Sequence, residues 1–148
     1  KGARGIGDGE QRFVAVAQNI DRELPSHAVI IARQHTGSIA FYGGRQTIRF
    51  DYLPAHRLRS IVEWLQSNGR PPYIVLEDWE EADYRRYFAP GQDALSRLDV
   101  LMVAETMTPH IRVRIYDPRA PTAPDARPVM IPVPPAGECI GGSGPWRR

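Results

Sequence analysis

The sequence predicts an α/β fold, a three-layer sandwich around a mostly parallel sheet. Three observations carry that prediction. Helical and strand patterns alternate as far as residue 88, which implies parallel strands with helices on their faces. Residues 28–32, Ala-Val-Ile-Ile-Ala, form a continuous apolar run with three β-branched side chains, the pattern of a central strand buried on both faces. Residues 111–116 alternate strictly, so that strand should wet one face and lie at or near a sheet edge. The sheet is therefore expected to be Rossmann-like, with room for an antiparallel edge strand.

Each element follows from local chemistry. Gly2, Gly5, Gly7 and Gly9 make residues 1–9 a flexible lead-in. A first helix is predicted over 10–24, with Phe13, Val14, Ala17, Ile20 and Leu24 on one face and Pro25 ending it. After the strand at 28–32, a short helix is expected at 38–42, stopped by Gly43-Gly44, then a strand at 46–50. Pro54 suits the first position of the next helix, where Leu58, Ile61, Val62 and Leu65 form an apolar stripe and Asn68-Gly69 a stop. A strand at 73–77 leads into a helix at 78–88, with Asp78 as cap and Glu81 completing a capping box. The spacing of Tyr84, Tyr87 and Phe88 assigns all three to the core. Residues 98–104 read as a further strand.

From Pro118 the character changes. Eight of the 14 prolines lie in the last 31 residues, more than a packed sheet or helix tolerates. The expected organisation is a lead-in at 1–9, an α/β domain at 10–117 and a proline- and glycine-rich tail at 118–148, extended or disordered. Within the tail, residues 129–133 can pack as a strap, and 139–148 read as disordered.

Composition excludes several functions. The 148 residues suit one domain, with 42% apolar and 24% charged residues. Nineteen basic against 17 acidic residues leave a net charge of +2. That balance argues against a nucleic-acid partner, which usually shows a basic excess in a patch. The longest apolar runs are about five residues, against about 20 for a membrane-spanning helix. A single cysteine, Cys139, excludes an intrachain disulfide framework and a cysteine-based zinc site. The chain opens on Lys1 rather than Met and shows no signal peptide. The expectation is a processed chain or a piece of a longer one.

Two loops carry candidate chemistry. Gln34, His35, Thr36, Gly37 and Ser38 follow the first strand, and ligands in open α/β sheets bind beyond strand carboxyl ends. A helix opening there would offer N–H groups to a phosphate or carboxylate, with Arg45 and Arg49 adding positive charge. The plainer reading has Ser38 capping that helix and His35 bonding to backbone. Glu77, Asp78 and Trp79, followed by Glu80 and Glu81, form the second loop. Gathered carboxylates can serve acid–base work, but acids also suit the first turn of a helix. The glycines do not fit G-x-G-x-x-G, no Walker lysine exists, and no serine sits in a G-x-S-x-G elbow. His27, His35, His56 and His110 lack metal-ligand spacing, so neither a metal nor a cofactor is expected.

Taken together, residues 24–30 (Leu-Pro-Ser-His-Ala-Val-Ile), 34–39 (Gln-His-Thr-Gly-Ser-Ile), 42–45 (Tyr-Gly-Gly-Arg), 47–51 (Thr-Ile-Arg-Phe-Asp) and 72–80 (Pro-Tyr-Ile-Val-Leu-Glu-Asp-Trp-Glu) form an order of segments that resembles a known family. It is similar to the soluble C-terminal domain of bacterial multi-spanning glycosyltransferases, the polytopic enzymes akin to dolichyl-phosphate-mannose protein mannosyltransferases. The resemblance covers about residues 10–117. It implies a catalytic carboxylate on a loop between transmembrane helices, hence outside this chain. It further implies an extracytoplasmic position and the transmembrane part of the same polypeptide as partner. It leaves three roles open: docking an acceptor, covering the active-site mouth, or only stabilising the membrane part. The 34–38 loop is the place for any contact with a polyprenyl-phosphate sugar or with the membrane part.

The leading expectation is thus a noncatalytic accessory domain of a membrane glycosyltransferase. One alternative is a free-standing α/β enzyme acting on a sugar or phosphorylated molecule. It needs His35 within a few ångströms of Glu77 or Asp78 in an open pocket. A third is an interaction module that adds a strand along residues 111–116, against which Arg112 and Arg114 count.

Overall fold

Alternation of helix and strand builds one six-stranded mixed sheet with helices against both faces. The computed structural model describes residues 8–89, 99–107, 109–119 and 127–135. In chain order the elements are α1 (Asp8–Glu23), β1 (Val29–Ala32), α2 (Thr36–Tyr42), β2 (Gln46–Arg49), α3 (Leu58–Ser67), β3 (Pro72–Glu77), α4 (Asp78–Phe88), β4 (Asp99–Met107), β5 (His110–Asp117) and β6 (Val129–Ile131). Two 3-10 turns, Phe50–Tyr52 and Ala55–Arg57, join β2 to α3.

The strand order is β2-β1-β3-β5-β4-β6. β1 pairs parallel with β2 and β3, and β4 pairs parallel with β6. β5 runs antiparallel to both its neighbours, β3 and β4. It is therefore internal, which corrects the edge position expected for residues 111–116. The alternation reports how one face is covered, not where the strand lies. Val113 and Ile115 pack in the core beside α1, while Arg112 and Arg114 face the side that α4 covers only in part. Strand addition along this segment has no free edge to use.

Period-two alternation splits the core into two clusters. Ile30, Ala32, Tyr73 and Val75 meet Val16, Ala17, Ile20 and Ile39 from α1 and α2. Ile31, Ile74 and Leu76 meet Leu58 and Val62 from α3 and Tyr84 and Phe88 from α4. β1 and β3 are buried on both faces throughout, as their apolar runs demand. Each fully buried Ile or Leu contributes about 1.5–3 kcal/mol relative to exposure. Gly43 lets α2 close on α1, because a Cβ there would meet the Ile39 and Ala17 carbonyl oxygens at 2.7 and 3.0 Å. Gly69 takes φ +68° after α3, the left-handed conformation glycine adopts without strain.

Several boundaries differ from the sequence reading. α1 begins at Asp8, inside the expected lead-in; residues 1–7 lie outside the described residues. α2 begins at Thr36, two residues early, and Pro54 opens a 3-10 turn rather than α3 itself. β4 extends to Met107, and Leu98 lies outside the described residues. Within the proline-rich segment, Val129–Ile131 joins the sheet as β6, while 139–148 lies outside the described residues. Tyr87 is 37% exposed, unlike buried Tyr84 and Phe88, and donates its hydroxyl to the Leu53 carbonyl at 2.6 Å. No helix among the described residues is long and apolar enough to cross a membrane.

Candidate functional site

The chain leaves β1, turns through α2 to β2 on one side, then returns through α3 to β3 on the other side of β1. The carboxyl ends of β1 and β3 therefore flank a point where the strand order reverses, the usual ligand crevice of open α/β sheets. The two loops singled out in the sequence meet there.

Glu77, the last residue of β3, is fully buried and collects three donors. Arg12 Nε donates at 2.7 Å, His35 Nε2 lies at 3.0 Å, and Trp79 Nε1 also donates to the carboxylate. Burial alone would raise the Glu77 pKa, but the hydrogen bonds from His35, Arg12 and Trp79 outweigh it and hold it at about 2. Ionised Glu77 only accepts, so His35 Nε2 carries the proton and donates. His35 is fully buried, its ring 4.6 Å from that of Phe13, and its Nδ1 has no hydrogen-bond partner. Arg12 stacks over the same Phe13 ring at 4.3 Å.

Glu80 ties the two loops together. It is fully buried and accepts the Glu77 backbone N–H at 3.0 Å, the Gln34 backbone N–H at 3.3 Å and Arg33 Nε at 3.3 Å. Its bond to the Glu77 backbone belongs to the capping box of α4, which Glu77 and Glu80 form one residue earlier than the expected Asp78 and Glu81. Asp78 stays exposed and accepts only the adjacent Trp79 N–H, at 2.9 Å. Glu81 instead meets Arg85, Arg114 and the Tyr116 hydroxyl at 2.8–3.0 Å.

The other candidates separate into two groups. Gln34, Gly37, Asp78 and the half-exposed Trp79 stay at the surface above the buried cluster. Thr36 and Ser38 turn inward on the backbone, donating to the Arg33 and His35 carbonyls at 3.1 Å each. Ser38 is the third residue of α2 and caps nothing, because the helix starts before it. Seven residues of α2 give no extended N-terminal anion site.

Arg45 and Arg49 each have partners within the chain. Arg45 is buried and donates to the Leu24 and Pro25 carbonyls at 2.8 Å and the Gly43 carbonyl at 2.9 Å, with longer contacts to Ile20 and Asp21. It closes the carboxyl end of α1, where carbonyls lack helical partners and a cation suits the dipole. Arg49 pairs with Asp51 at 2.6 Å and stacks over Tyr52 at 4.4 Å. Sequence reasoning gave Arg12, Phe13 and Arg33 no part in the site, and placed Glu80 in the acidic cluster without its capping role. Glu80 had a readable signal, since it stands three residues after a strand-ending acid. Arg12 had none, because its partner is 65 residues away.

The His35–Glu77 pair has the spacing of an acid–base dyad, yet neither side chain reaches water. Fixed and fully partnered on Nε2, it holds α1, the β1 loop and the start of α4 in register. No group of three or more His, Cys, Asp or Glu side chains poised for a metal occurs among the described residues. Comparison of the chain with known protein families, with curated proteins and with solved structures finds no match.

Proposed function

We propose that this chain is a noncatalytic accessory domain of a membrane glycosyltransferase that uses polyprenyl-phosphate sugars. One observation carries the noncatalytic part. In the arrangement closest to a catalytic constellation, Arg12–Glu77–His35, the Glu77 and His35 side chains are fully buried and committed to holding three elements together. The parent class rests on the resemblance in segment order, which implies an extracytoplasmic position beside the membrane-spanning part. Helices on both faces of a β2-β1-β3 core favour a doubly wound, Rossmann-like sandwich. The surface offered to an acceptor or a sugar phosphate is Gln34, Gly37, Asp78 and Trp79, above that sealed cluster.

A second reading, a free-standing enzyme, draws on the 3.0 Å separation of His35 and Glu77. It lacks the opening that a substrate needs. The test is direct. The chain is incubated with polyprenyl-phosphate sugars and with generic phosphate- and glycoside-ester substrates, and no turnover is expected. Turnover that disappears in Glu77→Gln overturns the noncatalytic reading.

A further inference from the structure

A groove of about 650 Å³ opens at the amino ends of β1 and β2, the end of the sheet away from the Glu77 cluster. Sites that hold small molecules measure about 300–1,000 Å³. Val29, Ile48 and Leu65 give the groove an apolar lining, and Trp64, 61% exposed, adds an indole to it. Its lining includes no acid but two arginines. Arg45 is spent, since its N–H groups go to the carbonyls of Ile20, Asp21, Leu24, Pro25 and Gly43 and to the Asp21 carboxylate. Arg70 is not. It donates from Nη1 to the Gln46 side-chain oxygen and pairs with no acid among the described residues. The end of α3 sets its place. Gly69 at φ +68° reverses the chain, and the Arg70 N–H returns to the Leu65 carbonyl at 2.9 Å. Asn68 and Gly69 take the Trp64 and Gln66 carbonyls at 3.1 Å, so these acceptors do not compete for the Arg70 guanidinium.

We propose that this groove binds a small organic anion, its flat apolar body against Trp64 and its one carboxylate on Arg70. Three features select that ligand class. A guanidinium is planar and meets a carboxylate through two parallel N–H groups; the bond to Gln46 occupies Nη1 and leaves the edge formed by Nε and Nη2 without a partner. The groove holds a single uncompensated charge, which matches a monoanion rather than a phosphate dianion. The remaining lining is mostly apolar, and an exposed indole gains by covering its face with another ring. The inference uses none of the residues on which the accessory-domain reading rests and survives its failure.

The test titrates 2-naphthoate, with the neutral 2-naphthamide as its control, into the 148-residue chain and follows nitrogen-15 NMR. Naphthoate is expected to shift the Trp64 indole N–H and the Thr47 and Leu65 amides. Its about 13 non-hydrogen atoms, at the efficiency of ordinary ligands, give a Kd of about 1 mM or below. Naphthamide should bind about tenfold more weakly, the worth of one charged hydrogen-bonded contact. Arg70→Gln brings naphthoate to the affinity of the amide and leaves the amide unchanged, whereas Trp64→Ala weakens both. Arg112→Gln, at an arginine already paired with Glu105, changes neither. Arg70 and Trp64 are exposed, so both variants keep the fold, which the dispersion of the same spectra verifies. Equal affinities for acid and amide overturn the proposal, as does an Arg70→Gln chain that binds naphthoate like the parent. Shifts that gather at Trp79 rather than Trp64, or no saturable shift at about tenfold above the expected Kd, overturn it as well.

Discussion

Arg12–Glu77–His35 and Arg112–Glu105–His110 use the same three residue types in two places. Glu77 meets Arg12 at 2.7 Å and His35 at 3.0 Å; Glu105 meets Arg112 at 3.0 Å and His110 at 2.6 Å. Contact lengths do not distinguish them. Exposure does, because the Glu77 and His35 side chains are 0% exposed while His110 is 56% exposed. In water such a trio is screened and loses side-chain entropy for little gain. Removed from water, each member depends on the others, since an unpaired buried charge is costly. The difference teaches that the first trio fixes the fold at the carboxyl ends of β1 and β3, while the second decorates a hairpin.

The largest test of that contrast is Glu77→Gln against Glu105→Gln. Losing the buried carboxylate removes the ionised acceptor that Arg12, His35 and Trp79 share and should cost about 3–5 kcal/mol, read from urea unfolding. The exposed counterpart should leave the urea midpoint unchanged. Equal midpoint shifts would erase the distinction.

Acid titration probes the same pair without mutation of neighbours. Glu77 is held at about 2, below its ordinary 4.5, so the unfolded chain takes up the proton first. The stability Glu77 contributes is therefore complete above about pH 4.5 and is lost as pH falls toward 2. Glu105 is lowered in the same direction by the His110 and Arg112 hydrogen bonds, but its contribution should vanish in added salt. In high salt, stability curves between pH 4.5 and 2 should flatten in Glu77→Gln and stay as in the parent in Glu105→Gln.

The layering of the fold was legible in the sequence, and the wiring of the site was not. The run Val29–Ala32 and the stripe Leu58, Val62, Leu65 are local signals, because burial on two faces or one writes itself into neighbouring residues. β5 shows where this fails. Alternation along Ile111–Tyr116 reads as an edge, although the strand lies between β3 and β4, because residue pattern does not encode strand order. His35 and Glu77 were both picked out by position at strand ends. Their contact spans 42 residues, and nothing local says that α1 brings Arg12 to cover them. The Arg45 contacts were hidden for the same reason, since all its carbonyl partners but Gly43 lie before β1 in sequence.

His35→Leu sets a middle value. It removes one of three donors to Glu77 and also the unpartnered Nδ1, so the loss is partly offset. About 1–2 kcal/mol is expected by thermal unfolding, against no shift for His110→Leu. A loss as large as that of Glu77→Gln would mean that histidine, not the carboxylate, organises the cluster.

Trp79→Phe should have the smallest effect and divides the buried trio from its surface. Phenylalanine keeps a ring for Arg33, whose guanidinium lies 5.5 Å from the Trp79 ring, but loses the Nε1 donor to Glu77. Glu77 retains Arg12 and His35, so stability at neutral pH should fall by about 1 kcal/mol or less. The carboxylate, short of one donor, should then titrate above its parent value of about 2. Carbon-13 NMR of the Glu77 side-chain carboxyl reads that shift directly. If the titration stays in place while stability falls, the indole matters through packing and not through its hydrogen bond. Trp79 would then belong with the exposed residues above the cluster rather than with the trio beneath.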